Sequence, residues 1–258
     1  MDYIEFAAQL DALPDVESSL EALFEKARTS SQSRFFVALT DLQRFRNRGR
    51  SFRRSNAEPF WILNQFGTYL AWVDQIPSPS GDASQRLLAH RLQMLAYSQF
   101  WECYAVQRLL YSLATIAAGR EYEPQVLFAE KMNTYDAFKN IREECQRLDL
   151  TLSNVLRTLY KNQVRNAFSH SEYYIVADLI SFVNYEPAKA SHLPSLKFET
   201  WDRLYSHFMR FAKAFFSFRH HAVEDLAAML PYRVSLPELG DDFYIARDGG
   251  YWAFLPVT

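Results

Sequence analysis

The stretch from Ser84 to Gly119 constrains the fold most, because it contains no internal proline or glycine and repeats apolar residues at helical spacing. One side of this predicted helix carries Leu88, Leu92, Leu95, Val106, Leu110, Leu113 and Ala117, and the opposite side carries Tyr97, Phe100, Tyr104 and Tyr111. A helix that is apolar on two sides usually lies inside a domain. The sequence therefore predicts one long central helix that ends at Gly119.

Turn-forming residues divide the rest of the chain into shorter helical segments. Before residue 78, short helices are predicted between breaks at Pro14, Ser30/Ser31/Ser33, Gly49 and Pro59, and a turn-rich segment follows at 76–84. After the central helix, further helices are predicted near 126–147, from Ser153 to about His170, and from a Thr200 cap to about Leu230, where Pro231 ends the run.

Two regions change from helical spacing to alternation, which is typical of β-hairpins. Tyr173 to Val176 alternate, Ala177–Asp178 forms a turn, and the residues from Leu179 to Val183 are β-prone. The tail repeats this pattern around Asp248-Gly249-Gly250. We predict a mainly α fold with a hairpin after the helix that begins at Ser153. Its regions are an N-terminal helical part (1–83), a helical domain (84–230) and a C-terminal hairpin (231–258).

Composition excludes several classes of protein. The seven glycines lack the spacing of a dinucleotide fingerprint or a Walker A loop, so a nucleotide-binding α/β fold is not expected. Cys103 and Cys145 are too few for a disulfide framework or a four-thiolate zinc site, and they fit free thiols in a reducing compartment. With no signal-peptide pattern and no apolar run long enough to cross a bilayer, we expect a soluble, cytoplasmic protein that does not bind membranes.

Polar residues interrupt the apolar faces of two predicted helices. Gln99 and Glu102 fall within the leucine stripe of the central helix, and Gln163, Asn166 and His170 continue the apolar face of the helix that begins at Ser153. Buried polar groups need partners or a wet cleft, because an unpaired one costs about 1–3 kcal/mol. Two interpretations remain open at this point: a polar functional site between helices or at a symmetric interface, and a structural hydrogen-bond network.

The segment from Gln163 to Ile175, QVRNAFSHSEYYI, resembles the HEPN superfamily. The signature of that superfamily is an arginine, usually followed by a polar residue, and a histidine after four to six intervening residues; here these are Arg165, Asn166 and His170. The setting is similar too, since the motif ends an amphipathic helix, a long helix precedes it, and a hairpin and another long helix follow. The resemblance covers about residues 84 to 229.

This resemblance implies a HEPN-like helical bundle and a metal-independent endoribonuclease without a cofactor, which acts as a homodimer. His170 would act as acid and base on the 2′-hydroxyl and the leaving oxygen, and Arg165 would stabilise the charged phosphate. Asn166 would orient His170 or the phosphate, and Glu102 is similar to a polar residue that many members carry on the earlier helix. Such an enzyme would suit a toxin, with an antitoxin partner, or a phage-defence protein. The alternative is a non-catalytic HEPN-like module that binds RNA or protein and dimerises.

An arginine-rich segment is the candidate RNA-binding surface. The net charge is only −2 at pH 7, so a polyanion must be held by a local basic patch. That patch contains Arg44, Arg46, Arg48, Arg50, Arg53 and Arg54, interleaved with Phe45 and Phe52. Arginines on phosphates and phenylalanines on bases would hold RNA. A solvated loop paired with acidic residues elsewhere is the other interpretation.

A metal site is not expected from the histidines. His220, His221 and Glu224 are close in sequence, but adjacent histidines point to different sides of a helix. The aromatic-rich run at 208–218 is more typical of a core or a dimer interface than of a cofactor pocket.

Overall fold

The computed structural model describes residues 1–40, 65, 67–69, 71, 82–120, 133–236, 242–248 and 251–256. It is mainly helical. The helices are α1 (Tyr3–Asp11), α2 (Val16–Ser30), α3 (Gln32–Thr40), α4 (Ala83–Glu102), α5 (Tyr104–Ala117), α6 (Thr134–Arg147), α7 (Leu152–Leu159), α8 (Asn162–Ser169) and α9 (Phe198–Ala228). Within the described ranges, none of the helices combines the length and apolar character that crossing a lipid bilayer requires.

Two small antiparallel sheets accompany the helices. The first contains β1 (Tyr173–Val176), β2 (Leu179–Phe182) and β3 (Ser195–Lys197), and the second contains β4 (Tyr232–Val234), β5 (Phe243–Asp248) and β6 (Tyr251–Pro256). Both predicted hairpins are confirmed, with Tyr173 opposite Phe182 in the first and Phe243 opposite Pro256 in the second. Each hairpin also gains a third strand, β3 and β4, that the alternation pattern did not predict.

Local sequence signals explain several helix ends. Asp2 forms a capping box with Glu5 at the start of α1, and the Asp82 carboxylate accepts hydrogen bonds from the first turn of α4. Gly119 follows α5 with φ of 68°, a left-handed conformation that glycine adopts without strain. The amide of Gly119 donates to the carbonyl of Ile116 at 2.9 Å, so the predicted stop at this glycine is confirmed.

Aromatic side chains of α4 and α9 form the centre of the core. The Tyr97 ring lies 5.6 Å from Trp201, and the Phe100 ring lies 5.3 Å from Phe208, both edge to face. The same buried cluster includes Phe6 from the N-terminal helices, as well as the following residues of the C-terminal sheet: Val234, Ile245 and Trp252. Side chains from all three predicted regions therefore contribute to one core.

The prediction of one continuous helix from Ser84 to Gly119 is wrong, because the segment forms two helices. Cys103 adopts ψ of 106° and separates α4 from α5, so the faces of the two halves cannot be extrapolated across it. In α4 the aromatic side is buried, whereas Leu88 and Leu95 are 60% and 47% exposed. Burying Tyr97 and Phe100 removes more apolar area from water than burying leucines, so the aromatic side faces the core.

The helix predicted from Ser153 to about His170 is also interrupted. Tyr160 and Lys161 have extended backbones, which divides the segment into α7 and α8. The buried Tyr97 hydroxyl satisfies both sides of this break, because it donates to the Leu159 carbonyl at 2.7 Å and accepts from the Lys161 amide at 3.1 Å. A side chain from α4 thus replaces hydrogen bonds that a continuous helix would make.

Two further helix boundaries differ from the predictions. The helix α9 begins at Phe198 after Lys197, so Thr200 lies buried inside it and does not cap it. The helix predicted near 126–147 is described from Thr134, where the Asn133 side chain accepts from the Asp136 amide.

Candidate active site

The candidate site lies where the end of α4 meets α8. The Oε1 atom of Glu102 accepts hydrogen bonds from Nη1 of Arg165 at 3.0 Å and from Oγ of Ser169 at 2.5 Å. Glu102 is the last residue of α4, where the helix dipole disfavours a negative charge. The arginine offsets that disadvantage, so Glu102 is held at the site by an ion pair and a hydroxyl.

Arg165 is held on its other side by groups that precede α8 or begin it. Its Nη2 donates to Oδ1 of Asn162 at 2.8 Å and to the hydroxyl of Tyr160 at 3.4 Å, and the Tyr160 hydroxyl also donates to Asn162 at 3.0 Å. The arginine side chain is 11% exposed and the glutamate side chain 41% exposed. Burial raises the pKa of Tyr160, and the adjacent Arg165 acts against that rise. The arginine is therefore anchored, and the glutamate is its more exposed partner.

Sequence reasoning missed Tyr160, Asn162 and Ser169. Asn162 and Ser169 stand three residues before and four residues after Arg165, the spacings at which helical side chains meet, so their positions were readable from the sequence. Tyr160 lies beyond the helix break and had no such signal.

The structure presents Asn166 and His170 beside this cluster. Asn166 follows Arg165 on α8 and is half-buried, whereas His170 caps the end of α8 and is exposed. The His170 amide donates to the Asn166 carbonyl at 2.9 Å. In the described part of the chain, no side-chain hydrogen bond joins either residue to Arg165 or Glu102. The structure thus brings Glu102 and Arg165 together and leaves His170 open to solvent nearby.

Gln163 has a structural position, separate from the candidate site. Its buried side chain donates to the Leu193 carbonyl and accepts from the Leu193 amide, both at 2.8 Å. This pair of bonds fixes the segment that leads into β3. The predicted shared face of Gln163, Asn166 and His170 therefore divides into an inward amide and two residues nearer the surface. All three residues lie on α8 or cap its end, and their burial decreases from Gln163 near its start to His170 at its exposed end.

The remaining candidates are the arginine-rich segment and the histidines of α9. The arginine-rich segment with Arg44, Arg46, Arg48, Arg50, Arg53 and Arg54 lies outside the described residues. His220 lies 3.1 Å from Glu224 across one turn of α9, with both side chains exposed. Among described residues, no three histidine, cysteine, aspartate or glutamate side chains are grouped to hold a metal ion.

The cysteines are poor nucleophiles. Burial raises the pKa of Cys103, and burial together with the neighbouring Glu144 raises the pKa of Cys145 to about 12. Both are therefore protonated thiols at neutral pH.

Comparisons of the chain with models of known protein families, with curated proteins and with solved structures found no match. The chemistry of the site must therefore be derived from its own residues.

Proposed function

We propose that this protein is a metal-independent endoribonuclease of the HEPN type. The observation that carries the proposal is the arrangement at α8: the anchored Arg165 lies within this helix, and the exposed His170 caps its end five residues later. A fixed guanidinium can bind a phosphate and an accessible imidazole can transfer protons, and these groups suit RNA cleavage by 2′-hydroxyl attack.

The proposed reaction needs no group beyond these side chains and the RNA itself. The 2′-oxygen attacks the adjacent phosphorus while the bond from phosphorus to the 5′-oxygen breaks. His170 takes the 2′-hydroxyl proton in one protonation state and donates a proton to the leaving 5′-oxygen in the other. The products are a 2′,3′-cyclic phosphate and a 5′-hydroxyl.

In the absence of RNA, the Glu102 carboxylate occupies the position on Arg165 that the substrate phosphate would take. Its carboxylate occupies Nη1 of Arg165, and at 41% exposure it has room to move aside. A phosphate oxygen would replace it, because the planar fork of arginine binds phosphate and carboxylate in the same geometry. Asn162 and Tyr160 would keep the guanidinium in place during that exchange.

The decisive experiment is cleavage of labelled single-stranded RNA in EDTA, with the new ends identified by mass spectrometry. We expect His170→Ala to lower the cleavage rate by about 100-fold or more with an unchanged melting temperature, because His170 is exposed. Arg165→Lys should also lose about 100-fold, since lysine lacks the planar fork. His221→Ala, which removes an exposed histidine on α9, is the matched control and should cleave normally. Equal cleavage by the parent and by His170→Ala, or no cleavage by the parent, would refute the proposed endoribonuclease activity.

A non-catalytic binding module is the second candidate, and the bonding of Arg165 favours it. Both terminal nitrogens of the guanidinium are already used by Glu102, Asn162 and Tyr160, as in a structural network. That function predicts no RNA cleavage, together with a loss of stability in Glu102→Gln. The nuclease proposal instead predicts that RNA is cleaved and that cleavage depends on His170.

A role as a toxin or defence protein, with RNA as target and an antitoxin as partner, is part of the same proposal. Expression of the parent and of His170→Ala in a bacterial host tests it. We expect growth arrest only with the parent.

A further inference from the structure

Three cationic side chains meet where α6 packs against α7 and the segment that leads into α8. Arg142 lies on α6, Arg157 on α7, and Lys161 just before α8. Burial, together with the charges of Arg142 and Arg157, lowers the pKa of Lys161 to about 8. Burial also lowers the pKa of Arg142, and Arg157 contributes to that shift. The three groups are close enough to repel one another, and we call them the cationic cluster.

No carboxylate neutralises the cationic cluster in the described part of the chain. Other cations of α6 and its surroundings are paired: Arg147 and Arg120 bind Glu144 at 2.8 and 2.7 Å, and Lys139 lies 4.0 Å from Glu143. Glu143 is within electrostatic range of Arg142 but makes no ion pair with it. Lys161 instead places its ammonium 4.9 Å from the centre of the Phe6 ring. Arg142 and Lys161 are partly buried, and Arg157 is exposed beside them. Proteins seldom keep partly buried like charges together without a counter-charge, so this arrangement is typical of a site for an anion.

Tyr135 adds an exposed aromatic ring to the cationic cluster. It stands two helical turns before Arg142 and on the same face of α6, and 46% of its surface is exposed. Cations beside an exposed aromatic ring are the groups that bind single-stranded nucleic acid, by contacts to phosphates and by stacking on a base.

The cationic cluster is continuous with the candidate active site. The Tyr160 ring packs 4.3 Å from Phe138 on the face of α6 that carries Arg142. The Tyr160 hydroxyl lies 3.4 Å from Nη2 of Arg165. One tyrosine thus separates the cluster from the arginine that the reaction uses.

We propose that Arg142, Arg157 and Lys161, together with Tyr135, bind the backbone of single-stranded RNA and lead it to Arg165 and His170. This inference rests on the proposed function, and it names the substrate class and the surface that receives it. It is independent of the arginine-rich segment before α4. Three phosphates would supply the counter-charges that the cluster does not receive from the described residues, and Tyr135 would stack one base.

The test measures binding separately from cleavage. Fluorescence anisotropy with a labelled, fully 2′-O-methylated single strand reports affinity without turnover, because the attacking hydroxyl is absent. The test variant is Arg142→Gln with Arg157→Gln and Lys161→Gln. Its control removes the same charge from three arginines that are paired with carboxylates: Arg28→Gln, Arg203→Gln and Arg210→Gln. Circular dichroism melts confirm that each variant is folded.

We expect the test variant to bind more weakly and to show a log–log salt slope shallower by about 2, since each single-strand phosphate contact contributes about 0.7. The control should keep the slope of the parent. Tyr135→Ala should weaken binding by about 5- to 100-fold, with an unchanged slope, because stacking carries no charge.

The outcomes separate this inference from the proposed function. Binding that depends on the cationic cluster, without cleavage of ordinary RNA, supports the surface and refutes the enzyme. Cleavage that depends on His170, with equal affinity in the test variant and the control, refutes the surface and keeps the enzyme. A parent that binds anionic phospholipid vesicles or duplex RNA but no single strand also overturns the inference.

Discussion

At the scale of single residues, the unusual feature is a lysine whose surroundings disfavour its positive charge. Lys161 is partly buried against the Phe6 ring and faces Arg142 and Arg157, and its pKa falls from 10.5 to about 8. A lowered lysine pKa means that the folded state disfavours the proton. Between pH 8 and 10.5 the unfolded chain therefore binds more protons, and the free energy of unfolding rises with pH from this group.

Lys161→Met should make the protein more stable at pH 7. Removing a charge that is repelled and desolvated should raise the free energy of unfolding by about 1–2 kcal/mol, or the melting temperature by about 2–6 °C. The advantage over the parent should shrink as pH rises through 8 toward 10, because the parent then loses the same charge. Melts at several pH values measure this. A variant that melts at a lower temperature than the parent at pH 7 would show that the Lys161 charge does not destabilise the fold.

At the scale of elements, the break between α7 and α8 decides what the site can be. The helix α8 begins after the extended backbone of Tyr160 and Lys161, and within it Gln163 binds Leu193 and Arg165 binds Glu102. The Tyr97 hydroxyl stabilises the break by bonding to the backbone on both sides.

Tyr97→Phe should therefore destabilise the protein although the ring is retained. The buried Leu159 carbonyl and the partly buried Lys161 amide lose their partner, at about 1–3 kcal/mol each, so we expect a loss of about 2–6 kcal/mol in urea unfolding. Tyr174→Phe, at an exposed tyrosine of β1, is the control and should be neutral. If cleavage falls in Tyr97→Phe at a temperature where the variant is folded, the orientation of α8 is part of the site. Equal stability of the two variants would mean that water replaces the hydroxyl.

At the scale of the whole molecule, the proposal needs a second copy of the chain. By helical spacing, Arg165 and His170 lie about 140° apart around α8. Arg165 binds Glu102 and His170 is exposed, so one copy does not direct both groups to one point. In the proposed dimer, the motifs of two copies meet across a two-fold axis.

Light scattering at micromolar concentration should give a mass of about twice 30.2 kDa. Mixing the inactive variants His170→Ala and Arg165→Lys and allowing exchange should restore part of the RNA cleavage, because mixed dimers contain one site with both groups intact. A strictly monomeric protein, or a mixture that stays inactive, would contradict a shared site.

The sequence by itself determined features that depend on neighbours in the chain. Helix starts at Asp2 and Asp82, the stop at Gly119 and the turn at Ala177–Asp178 follow from caps and turn residues within about four positions. The mainly helical class and the two hairpins follow from periodicity in the same way. The pattern of Arg165 and His170 was also local, which is why it was visible as a motif.

Only the tertiary structure decided which groups meet across distance. The break before α8 is stabilised by Tyr97, which bonds to residues more than sixty positions away. The spacing of apolar residues along a helix cannot predict such a distant hydrogen bond. Contacts with the aromatic rings of α9 decide which face of α4 is buried. The packing of α4 on α8 brings Glu102 to Arg165. Local preferences are worth a few tenths of a kcal/mol per residue, whereas burial and satisfied buried hydrogen bonds are worth about 1–3 kcal/mol each, so packing overrules pattern where the two conflict.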